Sequence, residues 1–193
     1  MSRRLAAVIV ALVALGAIAA LLRLRDGDSG GDSLARMSAD GEPIAMDVPS
    51  TLGFFGKPTG EAILIAERQG VRFLRLPDED GTSCWATSDR SSGFWSIRSF
   101  SCDTEYPFPD PQQPVIVLAS VRGDGDLLTY NELRGFAADG VKRIGALDAA
   151  GRVRPLTDVV DNVFTAPPPS RIRGIAALDE DGEIVWRSDV IPE

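Results

Sequence analysis

The sequence predicts a mainly β protein: an N-terminal transmembrane helix followed by one antiparallel β-sandwich-like domain. Three observations predict it. Residues Leu5 to Leu22 form a run of eighteen without a charged or polar side chain. From Val48 onward, short apolar runs alternate with Gly, Asp and Pro breakers, the cadence of a sandwich or small barrel. Finally, residues 144–154 (IGALDAAGRVR) return 31 positions later as 175–185 (IAALDEDGEIV), sharing Ile, Ala, Leu, Asp and Gly.

Taken in order, residues 1–4 are a short basic segment and 5–22 the membrane segment. As a helix the run spans ~27 Å at ~1.5 Å per residue, close to a hydrocarbon core of ~30 Å. It exceeds the usual signal-peptide apolar region of about 7–15 residues, which favours an uncleaved signal anchor. Ala17-Ile18-Ala19 is a small-x-small site, so cleavage is the alternative. Two arginines flank the run on each side (Arg3, Arg4, Arg23, Arg25), a weak charge bias. With four residues before it, an N-in orientation places the rest of the chain outside the cytoplasm.

Residues 23–47, rich in Gly, Asp and Ser, read as a flexible acidic tether that would reach about 25 Å as a coil. Asp26, Asp28 and Asp32 do not make an EF-hand loop, because the fifth position is Gly30 and the twelfth is Met37. Residues 48–193 are the extracytoplasmic β domain. Within it, 61–67 and 70–76 read as strands around a turn at Arg68-Gln69-Gly70. Pro114 to Val121 is apolar at successive positions, which predicts a central strand buried on both faces. Strands at 141–147, 151–156, 159–165, 171–178 and 183–188 complete the set, and Leu127–Ala137 is the one helical candidate after the membrane segment. The repeated segment reads as two equivalent hairpins. In each, an apolar strand ends in Asp, a short turn places Gly at positive φ, and a second strand returns.

Gly140-Val141-Lys142-Arg143-Ile144, Leu147-Asp148-x-x-Gly151, Asp161-Asn162-Val163-Phe164 and Leu178-Asp179-x-x-Gly182 together resemble a β module of exported or membrane-anchored actinobacterial proteins. The resemblance covers about residues 131–187 and rests on turn signatures. It implies an exported compartment and a β fold, and no activity. The preference for Arg over Lys also fits a GC-rich genome.

Composition excludes several chemistries. The chain has no His, so a Ser-His-Asp triad, a Cys-His dyad and an imidazole proton shuttle are ruled out. Two cysteines are too few for a four-cysteine zinc site, and no metal or cofactor is expected. Four arginines lie among the first 25 residues, leaving 16 cations and 28 acids in 26–193, so nucleic acid is not an expected partner. The acidic clusters Asp78-Glu79-Asp80, Asp124/Asp126 and Asp179-Glu180-Asp181 each adjoin a glycine, and turn chemistry accounts for them without a catalytic carboxylate pair.

Cys84 and Cys102 are the candidate disulfide, a bridge that would stabilise by about 3 kcal/mol in the chain-entropy model; two buried thiols are the alternative. If they oppose each other in a hairpin, its tip falls near Gly93. Phe94 and Trp95 then lie beside that tip, and with Trp85 they form a candidate contact surface for an envelope protein or a glycan. Packing of Trp in the core beside the disulfide is the competing reading. The expectation is a non-catalytic, single-pass membrane protein with its main domain outside the cytoplasm, serving as an envelope interaction or structural module. The alternative is a secreted glycan- or small-ligand-binding protein released by cleavage.

Overall fold

The computed structural model of the chain describes residues 30–45, 61–77, 83–91, 94–102, 108–124, 127–167 and 169–189. The apolar run 5–22, its cleavage alternative at Ala19 and the cluster 78–80 lie outside the described residues. The described part is mainly antiparallel β structure. A single helical turn, α1 (Gly30–Leu34), precedes thirteen strands.

β1 (Glu42–Ile44), β2 (Ala62–Arg68), β3 (Val71–Pro77), β4 (Ser83–Ser91) and β5 (Phe94–Cys102) form the first sheet in chain order. The β2–β3 connection is the expected turn: Arg68 pairs with Val71, and Gln69 and Gly70 both sit at positive φ (52° and 76°), the conformation that follows strand twist in a two-residue hairpin. β6 (Val115–Asp124) and β7 (Leu127–Ala137) make a long hairpin. The other edge of β7 is shared by β10 (Val163–Ala166) and β11 (Ser170–Ile172), giving a second sheet.

The segment with a helical reading, Leu127–Ala137, is thus a strand eleven residues long. Its neighbours decide this. Leu133 and Ala137 alternate with Phe136 across the sheet and supply opposite cores. Gly135, a poor helix residue, is needed here because a Cβ would overlap the Ile116 carbonyl and come within 2.6 Å of the Phe164 ring.

The second sheet is the middle of three layers. On one side Ile116, Leu118, Phe136 and Val163 pack with Val71, Phe73 and Trp85 of the first sheet. On the other, Val115, Leu133, Phe164 and Ala166 pack with Ile144, Ala146, Ile175 and Ala177 of the third. Val115, Ile116 and Leu118 are buried toward both faces, as the unbroken apolar pattern predicts, but β6 pairs with β7 alone among the described residues and is an edge strand rather than a central one. Each interface is sandwich-like.

The third sheet has the order β13-β12-β8-β9, from β8 (Arg143–Leu147), β9 (Val153–Asp158), β12 (Gly174–Leu178) and β13 (Ile184–Asp189). Its two hairpins are the sequence repeat. The β8–β12 pairs are Arg143↔Leu178, Ile144↔Ala177, Gly145↔Ala176, Ala146↔Ile175 and Leu147↔Gly174. Replacing each residue by its equivalent 31 positions away maps this set onto itself, so a pseudo-two-fold axis passes through the Gly145–Ala176 pair. The turns match bond for bond. Asp148 N–H donates to the Arg152 carbonyl and Asp179 N–H to the Glu183 carbonyl, both at 3.0 Å. Gly151 (φ 74°) and Gly182 (φ 85°) close the two turns.

The compact unit begins at Ser33 rather than at Val48. Ser33 to Ile44, assigned to the tether from sequence, packs on the β layers. Leu34 is buried in the core between the second and third sheets, and Met37 and Ala39 pack beside Phe73 and Trp85. The backbone bonds Gly140 N–H to Ser33 carbonyl (3.0 Å) and Asp139 N–H to Arg36 carbonyl (2.8 Å) fix this strap.

Candidate functional site

Cys84 and Cys102 are directly opposed on β4 and β5 and form the expected disulfide. Side chains alternate along β4, so Cys84 and its neighbour Trp85 point to opposite faces. Cys84 joins Leu74, Leu76 and Ala86 on the outer face of the first sheet, with Ile97 and Phe100 beside them. Trp85 points inward and is 2% exposed, edge-on to Phe108 and Phe136 with ring centroids 4.9 Å from each. It is a core residue, and the contact surface proposed through it is corrected on that point.

Trp95 lies at the other end of the hairpin, opposite Arg90 and one residue from the turn. It is half-buried under the Arg72 guanidinium, 3.9 Å from the ring centroid, and Arg72 is held by Glu67 at 3.0 Å. The backbone of Phe94 pairs with Ser91 beside the turn, and its side chain lies outside the described residues. The structure therefore puts Trp85 and Trp95 on opposite faces and does not bring them together.

It assembles a different site. A cleft of about 470 Å³ opens between the strap and the first sheet, lined by Arg36, Ser38, Arg75, Trp85, Phe108 and Asp139 among others. That volume is in the range of small-ligand sites, which run roughly 300–1,000 Å³. Arg75 follows Val71 and Phe73 at alternate positions on β3, so a guanidinium stands where the strand pattern otherwise places core residues. The edge of Trp85 and the ring of Phe108 give the cleft an apolar floor.

A polar node anchors its rim. Asp139 accepts hydrogen bonds from Ser38 N–H (2.8 Å), Ser38 Oγ–H (2.9 Å) and Asn162 Nδ2–H (2.9 Å). Burial works to raise the Asp139 pKa, but the bonds from Asn162 and Ser38 and the nearby Arg36 charge outweigh it and hold the carboxyl below its ordinary value. Asn162 is buried and donates its second N–H to the Ala137 carbonyl (2.9 Å), while its Oδ1 accepts from Ala39 N–H (3.1 Å). Asp161 and Asn162 sit at φ 52° and 61° in a two-residue turn between Val160 and Val163, which aims the Asn162 amide at the strap.

The cleft brings together a guanidinium, a hydroxyl, a carboxylate and two aromatic rings. Arg75 has N–H donors that suit a carbonyl or an acidic group, beside the edges of Trp85 and Phe108, which are 2% and 6% exposed. Ser38 Oγ is bonded to the Asp139 carboxylate, whose pKa is held below its ordinary value. The turn carboxylates are engaged as expected: Asp148 Oδ1 accepts from Ala150 and Arg152 N–H (both 2.9 Å), and Asp179 Oδ1 accepts from Glu183 N–H (2.8 Å). No protein family, characterised protein or solved structure matches the chain.

Proposed function

We propose that this protein is a non-catalytic binding domain displayed outside the cytoplasm, held at a membrane by the apolar run 5–22, and that it takes its ligand in the Arg75–Trp85–Phe108 cleft. The observation that carries the compartment is the Cys84–Cys102 bridge, since structural disulfides persist in oxidising environments. The resemblance of residues 131–187 to β modules of exported proteins supports the same compartment. A cleft with an arginine over an aromatic floor fits a glycan with an acidic substituent or another small acidic, ring-bearing ligand of the envelope. It fits these better than it fits a flat protein partner. Release after Ala19 is the second reading, favoured by the small-x-small site there.

The test is intact mass of the natively expressed protein after alkylation with and without reduction. A full-length mass in the membrane fraction, alkylated only after reduction, is the expected result. Loss of the first 19 residues would support the released form. Thiols that alkylate without reduction would overturn the compartment. For the cleft, Arg75→Ala is expected to abolish binding in a glycan screen with the melting temperature unchanged, and unchanged binding would move the site elsewhere.

A further inference from the structure

The pseudo-two-fold of the third sheet supplies its own control. Both hairpins satisfy the same turn with the same Leu-Asp-x-x-Gly frame, so residues that differ between them are not demanded by the fold. Charge is what differs. At the Asp148 end, Arg152 and Arg154 on the returning strand and Arg171 and Arg173 on the incoming chain stand near Asp148, and Asp189 pairs with Gly174 beside Arg173. At the Asp179 end, the equivalent stretches carry Asp179, Glu180, Asp181 and Glu183 against Lys142 and Arg143. The chain as a whole has a net charge of −8, so four arginines gathered at the first end run against its overall sign.

The arginines there are arranged rather than scattered. The Arg173 N–H donates to the Leu147 carbonyl at 2.8 Å, which seats the incoming chain against the turn. A pocket of about 180 Å³ is lined by Arg154, Arg171 and Asp148 over Ala146 and Ile172. Asp148 is neutralised by Arg152, 2.9 Å away. Arg154 and Arg171 are exposed, and their side chains make no ion pair or hydrogen bond with a described residue. Arg171 is also held at φ 57°, a left-handed conformation that is unfavourable for a residue with a side chain. An arginine kept at such a position projects its guanidinium at a stability cost that a glycine would avoid.

We infer that this end of the sheet is a phosphate-ester site, with Arg154 and Arg171 as the two ligating guanidinium groups and Arg173 adding to the positive charge around them. Planar guanidinium forks match phosphate oxygens in pairs of hydrogen bonds. The pocket is smaller than a drug-sized site, so it takes one headgroup-sized phosphate rather than a nucleotide. The inference is independent of the cleft: the two lie on different sheets and share no lining residue.

The experiment is calorimetric titration of the full chain in neutral detergent with inorganic phosphate, and of the full chain in nanodiscs of phosphatidylcholine with or without phosphatidylglycerol. Saturable phosphate binding that weakens by about tenfold or more in Arg154→Gln/Arg171→Gln, and is unchanged in Glu183→Gln at the mirrored end, is expected. Competition of phosphate by phosphatidylglycerol nanodiscs, and not by phosphatidylcholine ones, would identify a lipid headgroup as the source. Absence of such competition would identify a free phosphate ester. Both arginines are exposed, so the double variant is expected to melt as the parent does. No saturable binding, or binding that the double variant leaves intact, or binding lost equally in Glu183→Gln, overturns the inference.

Discussion

The two hairpins of the third sheet share their turn bonds and a symmetric β8–β12 pairing, and differ in chemistry. β8–β9 and β12–β13 meet across one axis, close their turns with the same bonds, and bury equivalent leucines, Leu147 and Leu178, each 3% exposed. One turn is ringed by arginines and the other by acids. The lesson is about attribution. Where a repeat keeps Leu, Asp and Gly, those residues serve the turn; where it exchanges Arg for Glu, the fold is indifferent and the surface is free to specialise.

The comparison breaks most visibly in the core. Leu147→Ala and Leu178→Ala are each expected to lower stability by about 2–5 kcal/mol, the range for a buried leucine, and by similar amounts. Denaturant melts with clearly unequal losses would mean that the two leucines do not occupy equivalent environments. Next come the turn glycines. Gly151→Ala places a Cβ in open space at φ 74°, so only the conformational cost of about 1–2 kcal/mol applies. Gly182→Ala meets only the tip of the Arg143 side chain, 2.9 Å away at Nη2, which can swing aside, so thermal denaturation is expected to show a loss of similar size there.

Acid sharpens the comparison in a different way. The backbone N–H of Arg152 is the main cause that holds the Asp148 carboxyl below its ordinary pKa, assisted by the Arg152 side chain and Ala150 N–H, with slight desolvation opposing. Asp139 is lowered as well. A carboxyl depressed in the folded state contributes stability above its unfolded pKa, about 3.9, and that contribution is lost as pH falls through the lower folded value. Below about pH 4 the strap is therefore expected to loosen, with amide exchange at Ser38 and Ala39 accelerating ahead of that in β6 and β7. Uniform exchange across the domain would contradict the role given to Asp139. The smallest expected effect is on Arg171→Gly, which should raise stability by up to about 1 kcal/mol by relieving the left-handed conformation, while weakening phosphate binding. A variant that loses stability would show that Arg171 makes a structural contact.

These features were unequally legible in the sequence. The two hairpins could be read because their signals are local: Asp and Gly three apart set the turn before any tertiary contact forms. The β6 run declared its burial through unbroken apolar residues. The strap could not be read, because Ser38 is held by Asp139, 101 positions away, and Gly and Ser around it look like linker. Leu127–Ala137 became a strand through β6 and β10 on its two edges, partners that no local window contains. Trp85 was grouped with Phe94 and Trp95, whereas strand alternation turns it into the core, where the competing reading had it. Arg75 was missed although a signal existed: it has the parity of Val71 and Phe73, and a charged residue in register with core positions marks either a strand end or a site.

The most direct test of the account is a residue-resolved titration of the full chain with inorganic phosphate, following backbone amides of both hairpins in one sample. Shifts that saturate at 150–154 and 171–173 and leave 179–185 unmoved are the predicted result. Equal shifts at the two ends, or none at the Asp148 end, would contradict the claim that one fold element carries two different surfaces.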